Sequence, residues 1–127
     1  MRPASFVPFL LLPAATLLAA CFASSPPPTP TLDPIQQQGQ AVFNLRCSQC
    51  HALTADTIVI GPSLAGVATR AGSRMAGYDA RGYIEHSILF PRDYIVDGFT
   101  DTMPTNFGKE LTSEELDAVI SFLLMLK

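Results

Sequence analysis

With 127 residues, the chain has room for one domain and not for two. Its 48% hydrophobic and 15% charged content is apolar for a soluble domain, and a formal net charge of −3 excludes the basic footprint that nucleic-acid binding requires. Three cysteines, with a single closely spaced pair among them, exclude a disulfide framework and a four-thiolate zinc site.

Residues 1–20 read as an export leader, with Arg2 as a thin charged start and an apolar run behind it. The run closes on Leu18-Ala19-Ala20-Cys21, which resembles the bacterial lipobox. That resemblance implies cleavage before Cys21 and a lipid on its thiol and new amine. An uncleaved membrane span and ordinary secretion are the alternatives. Against a span, the stretch from Phe6 to Ala23 sits at the short end of the roughly 17–25 residues required, and Pro8 and Pro13 interrupt it. Each reading places the domain outside the cytoplasm, in the periplasm or on the outer face of the cytoplasmic membrane. Residues 21–33 then form a tether whose Pro-rich composition favours an extended chain of about 3.1 Å per residue.

Residues 34–127 form the folded domain and read as all-α, with helices joined by long loops. A core of about ninety residues is marginal without a staple such as a metal or a large buried cofactor. Asp33 as N-cap and Pro34 at the first helical position open a helix that runs to about Arg46. Residues 52–78 read mostly as loop, with a short helix after Pro62. Asp79 caps a helix over Arg81 to Phe90, which Pro91 ends. Residues 91–110 read as loop. Thr112 and Glu115 form a capping box, with Leu111 and Leu116 as its hydrophobic staple. Behind it, Leu116, Val119, Ile120, Leu123 and Leu124 recur at helical spacing.

The chemistry concentrates in Cys47-Ser48-Gln49-Cys50-His51. Cysteines at i and i+3 share one face of a helical turn, so both thiols can reach the two vinyl groups of one haem, and the adjacent histidine can meet its iron. A thioredoxin-like site also uses this cysteine spacing, but it follows a strand in a βαβ pattern that is missing here. Zinc would need two more ligands at regular spacing. A second axial ligand has four candidates: Met75, Met103, Met125 and His86. Met125 reads as helix packing, Met75 sits in a Gly-rich loop, and His86 reads as a solvated helix residue. Met103 precedes Pro104, which can fix the backbone and aim a thioether inward, so residue logic favours Met103 over His86.

From Gly39 to Lys127 the chain resembles the class I cytochromes c. Gly39 and Phe43 match the family's Gly-x-x-x-aromatic first helix, Cys47, Cys50 and His51 its attachment motif, Gly61-Pro62-Ser63-Leu64 its Gly-Pro-x-Leu segment, and Met103-Pro104 its distal Met-Pro. The stretch Tyr83 to Ile88, with Pro91 and Tyr94 to Phe99, is similar to cytochrome domains attached to haem–copper oxidases. The resemblance implies three to five helices wrapped around one haem c bound through two thioethers. It also implies His51 and Met103 as axial ligands, with the Pro62 carbonyl accepting the His51 N–H. Phe122 stands where an aromatic is expected to pack on Gly39. Leu64, Phe99 and Phe107 are expected in the pocket wall. Arg70, Arg74 and Arg92, and the hydroxyls of Tyr78, Tyr83 and Tyr94, are candidate propionate contacts, with surface charge and packing as the ordinary roles.

The expected function is electron transfer and not catalysis, with redox proteins of a membrane electron-transfer chain as partners and no small-molecule substrate. Two alternatives stand beside it. One is a fixed haem subunit of an oxidase or dehydrogenase; the other is a haem enzyme or sensor with an open distal face.

Overall fold

The computed structural model describes Met1 and residues 31–127. The leader, Cys21 and most of the tether lie outside the described residues. Five helices follow in order: α1 (Pro34–Arg46), α2 (Val67–Ala71), α3 (Ala80–Leu89), α4 (Phe107–Glu110) and α5 (Ser113–Leu123). Among the described residues there is no strand, only an isolated bridge between His51 and Ile58. None of these helices is long and apolar enough to cross a membrane.

Local chemistry sets the helix starts. The Asp33 carboxylate accepts from the Gln36 N–H at 2.8 Å, and the Gln36 side chain accepts from the Asp33 N–H at 3.0 Å. The same reciprocal box joins Thr112 and Glu115, at 3.1 and 2.9 Å. Each box satisfies two N–H groups that the first helical turn leaves without partners. Asp79 caps α3 by accepting from the Gly82 N–H at 2.7 Å. That helix runs one residue earlier at both ends than its sequence pattern predicts.

Gly39, Val42 and Phe43 form the buried stripe of α1, and Ala118, Val119, Ile120, Phe122 and Leu123 that of α5. The two stripes pack on each other through Gly39. A Cβ there would lie 1.9 Å from the Ala118 carbonyl oxygen and 2.8 Å from Phe122 Cβ. Glycine is therefore what lets the backbones approach, and beside it the Phe43 and Phe122 rings pack at 5.8 Å. Tyr83, Ile84 and Ile88 of α3 complete this core, with Leu111 and Leu116 packed against it.

Residues 91–110 are not all loop, because α4 occupies their end. Four residues carry no helical periodicity that a sequence can display. Burial of Phe107 and a side-chain bond from Asn106 to Glu110 hold that turn in place.

Candidate functional site

The attachment segment grows out of the C-terminus of α1. Phe43 O accepts from the N–H groups of Cys47 at 2.8 Å and Ser48 at 3.0 Å, and Cys47 O accepts from Cys50 at 3.0 Å and His51 at 2.9 Å. These bonds continue a helical turn beyond Arg46, which is how a three-residue offset brings both thiols to the wall of one cavity. Both cysteines are free thiols. Burial, with a smaller contribution from Cys50, pushes the Cys47 thiol up to about 11. A dithiol redox site needs the opposite shift, toward a thiolate at neutral pH.

His51 is fixed by the next segment of chain. Its Nδ1 lies 2.8 Å from Pro62 O. A carbonyl oxygen can only accept, so Nδ1 is the donor, and in the neutral ring this leaves the Nε2 lone pair for a metal. Gly61 makes this approach possible, since a Cβ there would lie 2.5 Å from His51 Cε1. The loop is pinned on both sides: Gly61 N–H donates to Cys50 O at 2.9 Å, Leu64 N–H to Ala52 O at 2.8 Å, and Ser63 Oγ to Thr54 O at 2.7 Å.

The cavity that Cys47, Cys50, His51 and Pro62 share measures about 1100 Å³ with its open mouth, and Met103, Phe99 and Phe107 also line it. The other candidate ligands stand elsewhere. Met75 packs against the helical core, and Met125 is exposed. His86 faces away from the cavity, receiving or giving a bond to the Tyr78 hydroxyl at 3.2 Å and pairing with Asp93 at 2.9 Å. Its side chain is only 18% exposed, so it is a bound histidine and not a solvated one.

Leu64, expected in the pocket wall, is not among the lining residues and packs on the core instead. Arg92 pairs with Asp101 at 3.0 Å. The Arg70 guanidinium is turned onto backbone carbonyls of Ser63 and Ala65. Of the three tyrosines, Tyr83 and Tyr94 line the cavity and meet edge to face at 5.8 Å. Sequence reasoning passed over Ser87, a lining residue on α3 whose Oγ is buried without a hydrogen-bond partner. Such an atom ordinarily has a partner in the functional protein. No motif marks it.

The residues fit a covalently held haem: two free thiols on one turn, an imidazole held through Nδ1 on a backbone carbonyl, an open cavity lined largely by apolar side chains, and an orphaned hydroxyl in its wall. Cys47 and Cys50 would form the two thioethers.

Comparison with known proteins agrees. The family described as "Cytochrome c" matches residues 36–127, well over half of the chain. A curated relative, cytochrome c 2.1 of Caenorhabditis briggsae, is 37% identical over 43 residues, which are 34% of this chain and 38% of that one. The chain thus matches under two-fifths of that relative's length. A solved cytochrome c from Rhodothermus marinus superposes with a TM-score of 0.53 at 26% identity, covering 80% of this chain and 89% of the other. An engineered cytochrome c from the same organism gives 0.45 at 23% identity, covering 80% and 90%. All of the attachment segment and the cavity wall fall within the matched span, and the chain belongs to the cytochrome c family, whose members carry covalently bound haem c.

Proposed function

We propose that the protein is an electron carrier that passes single electrons between membrane-associated redox complexes, with His51 and Met103 as the two axial ligands of its haem. The observation that carries this reading is the pairing, in one cavity, of an imidazole locked in the metal-binding tautomer with a thioether. A site with both axial positions filled by the protein leaves no open position for a substrate. The haem supplies reversible one-electron chemistry. The chain's own residues do the rest. Pro62 O holds the His51 ring and would raise its basicity as a ligand, Met103 would favour the reduced iron, and Phe99 and Phe107 would pack apolar surface against the bound group.

The sequence similarity to oxidase-associated cytochrome domains favours a respiratory complex as partner. The lipobox-like leader favours a lipid on Cys21, which would hold the domain at the outer face of the membrane. Several acyl chains on one cysteine anchor stably, whereas a single chain binds only marginally. Mass spectrometry of the mature N-terminus tests this. An unmodified Cys21 would remove the anchor and leave the carrier assignment standing.

The ligand set is tested by Met103→Ala. It should abolish the near-infrared sulfur-to-iron band of the oxidised protein and lower the potential, while His86→Ala should leave both unchanged. Fast carbon monoxide binding by the reduced wild-type protein at neutral pH would refute the carrier reading in favour of an open-site haem protein.

A further inference from the structure

We propose that Arg70 is a positioning residue for the proximal imidazole: its guanidinium grips the carbonyls of Ser63 and Ala65 and so keeps Pro62 O on the His51 Nδ1–H. The inference rests on the reading of His51 as an iron ligand.

Pro62 has no N–H, so the residue that presents this carbonyl cannot be anchored through its own nitrogen. It must be held by its neighbours. On the N-terminal side, the Gly61 N–H bonds to Cys50 O. On the C-terminal side, the Leu64 N–H bonds to Ala52 O and the Ser63 hydroxyl to Thr54 O, and Arg70 adds a two-point grip, one guanidinium nitrogen donating to Ser63 O and the other to Ala65 O. Ser63 is the residue next to Pro62, so the grip acts one peptide away from the carbonyl that meets His51 at 2.8 Å.

The geometry that allows this is local. Gly66, at φ +68°, turns the chain so that α2 starts back over the loop that precedes it. Arg70, in the last turn of this five-residue helix, thereby reaches residues five and seven positions earlier. An arginine suits the task because its rigid planar fork spans two acceptors at once, which the single ammonium of a lysine cannot reproduce. Burial and the neighbouring Arg74 lower the Arg70 pKa, Tyr83 opposing them, and the group remains a cation at neutral pH.

A guanidinium near a haem could instead act through its charge alone, and the two roles predict opposite signs. A lost positive charge disfavours the reduced iron and lowers the potential. A weakened Pro62–His51 bond makes the imidazole a poorer donor, favours the reduced iron and raises the potential.

Arg70→Lys keeps the charge and removes the fork, so it isolates the grip; Arg70→Met removes both. The haem-loaded, reduced protein is followed by NMR, reading exchange of the His51 Nδ1–H against the slowest amides of α5. Exchange through global unfolding is thereby subtracted. In Arg70→Lys the ring proton should exchange roughly tenfold faster or more, the scale of one charge-assisted hydrogen bond, and the potential should rise. Where Arg70→Met fails to fold, Arg70→Lys carries the test. Unchanged ring-proton exchange in Arg70→Lys, or a potential that falls, would overturn the proposal. The wild-type pyridine haemochrome and low-spin spectrum test His51 ligation separately, so failure of that reading and failure of the grip are distinguishable.

Discussion

Gly39→Ala puts the α1–α5 contact to a quantitative test, because two effects of opposite sign meet there. Helix propensity alone favours alanine over glycine by about 0.8–1 kcal/mol in a helix interior. The packing opposes it. The added Cβ would stand 1.9 Å from Ala118 O and 2.5 Å from the Ala118 carbonyl carbon, both backbone atoms that no rotamer change can move. Ordinary carbon–oxygen contact begins near 3.3 Å, so the helices must part by about 1.4 Å at this point. A gap of even 0.5–1 Å forfeits roughly a quarter to a half of the dispersion well of each affected pair. The pairs at stake include the Phe43 and Phe122 rings at 5.8 Å. A loss of about 3–5 kcal/mol, as for truncating a large core residue, less the propensity gain, leaves a net destabilisation of about 2–4 kcal/mol. For a domain of this size that lowers the melting temperature by roughly 10–30 °C, measured by far-UV circular dichroism on the haem-loaded protein. Gly108→Ala is the control: its Cβ would meet only the end of the Leu89 side chain, at 3.4 Å. Its melting temperature should stay near that of the wild type. A Gly39→Ala protein as stable as wild type, or more so, would refute the close-crossing argument.

Gly61→Ala should drive the His51 ring off Pro62 O, since the new Cβ would stand 2.5 Å from Cε1; the low-spin fraction in the optical spectrum should fall, at a stability cost of about 1–3 kcal/mol. His86→Ala should lower stability by about 1–2 kcal/mol, because its bonds to Tyr78 and Asp93 tie the two ends of α3 together; chemical denaturation reads the change. Cys47→Ser with Cys50→Ser should yield a molten or degraded product, because the cavity then faces water on all of its apolar lining. Recovery of a cooperatively folded, haem-free domain would count against that.

What the sequence made legible was local. Asp33 and Pro34, Thr112 and Glu115, and the Cys47 to His51 spacing each act within one turn, and their consequences stand in the structure as read. The all-α architecture, expected with three to five helices, followed from these starts together with the resemblance. What escaped was set by distant contacts. The short α4 is held by burial of Phe107, which no period announces. His86 reads as solvated on its own helix, and only folding brings Tyr78 and Asp93 to its two ring nitrogens. Leu64 packs against the core and is not among the residues that line the cavity, a placement that a four-residue motif does not encode. Arg70 shows the same limit. As a letter it is a surface cation, and its two carbonyl partners lie on the far side of the left-handed turn at Gly66, in the loop before its own helix.

The core and the site are mechanically one unit, and α1 is the reason. Within a single helix, Gly39 and Phe43 set the distance to α5, and the Phe43 carbonyl then accepts the N–H groups of Cys47 and Ser48. The position of the first attachment cysteine is therefore tied to the same residue whose ring packs on Phe122. On the other side, Tyr83 belongs at once to the helical core and to the cavity wall, as does Phe107. A bound haem would thus lean on residues already held by α1, α3 and α5, and those helices would gain through it the apolar contact that about ninety residues cannot supply alone. Little atomic movement at the proximal side is the expected consequence, because Cys47, Cys50, His51 and Pro62 are each anchored to the end of α1 or to a loop with bonds on both sides. The His51–Pro62 contact is the clearest case: one partner hangs from the end of α1, the other from a loop tied to Cys50, Ala52 and Thr54. Rigidity at the ligand is inherited from the fold, and the fold is completed by the ligand.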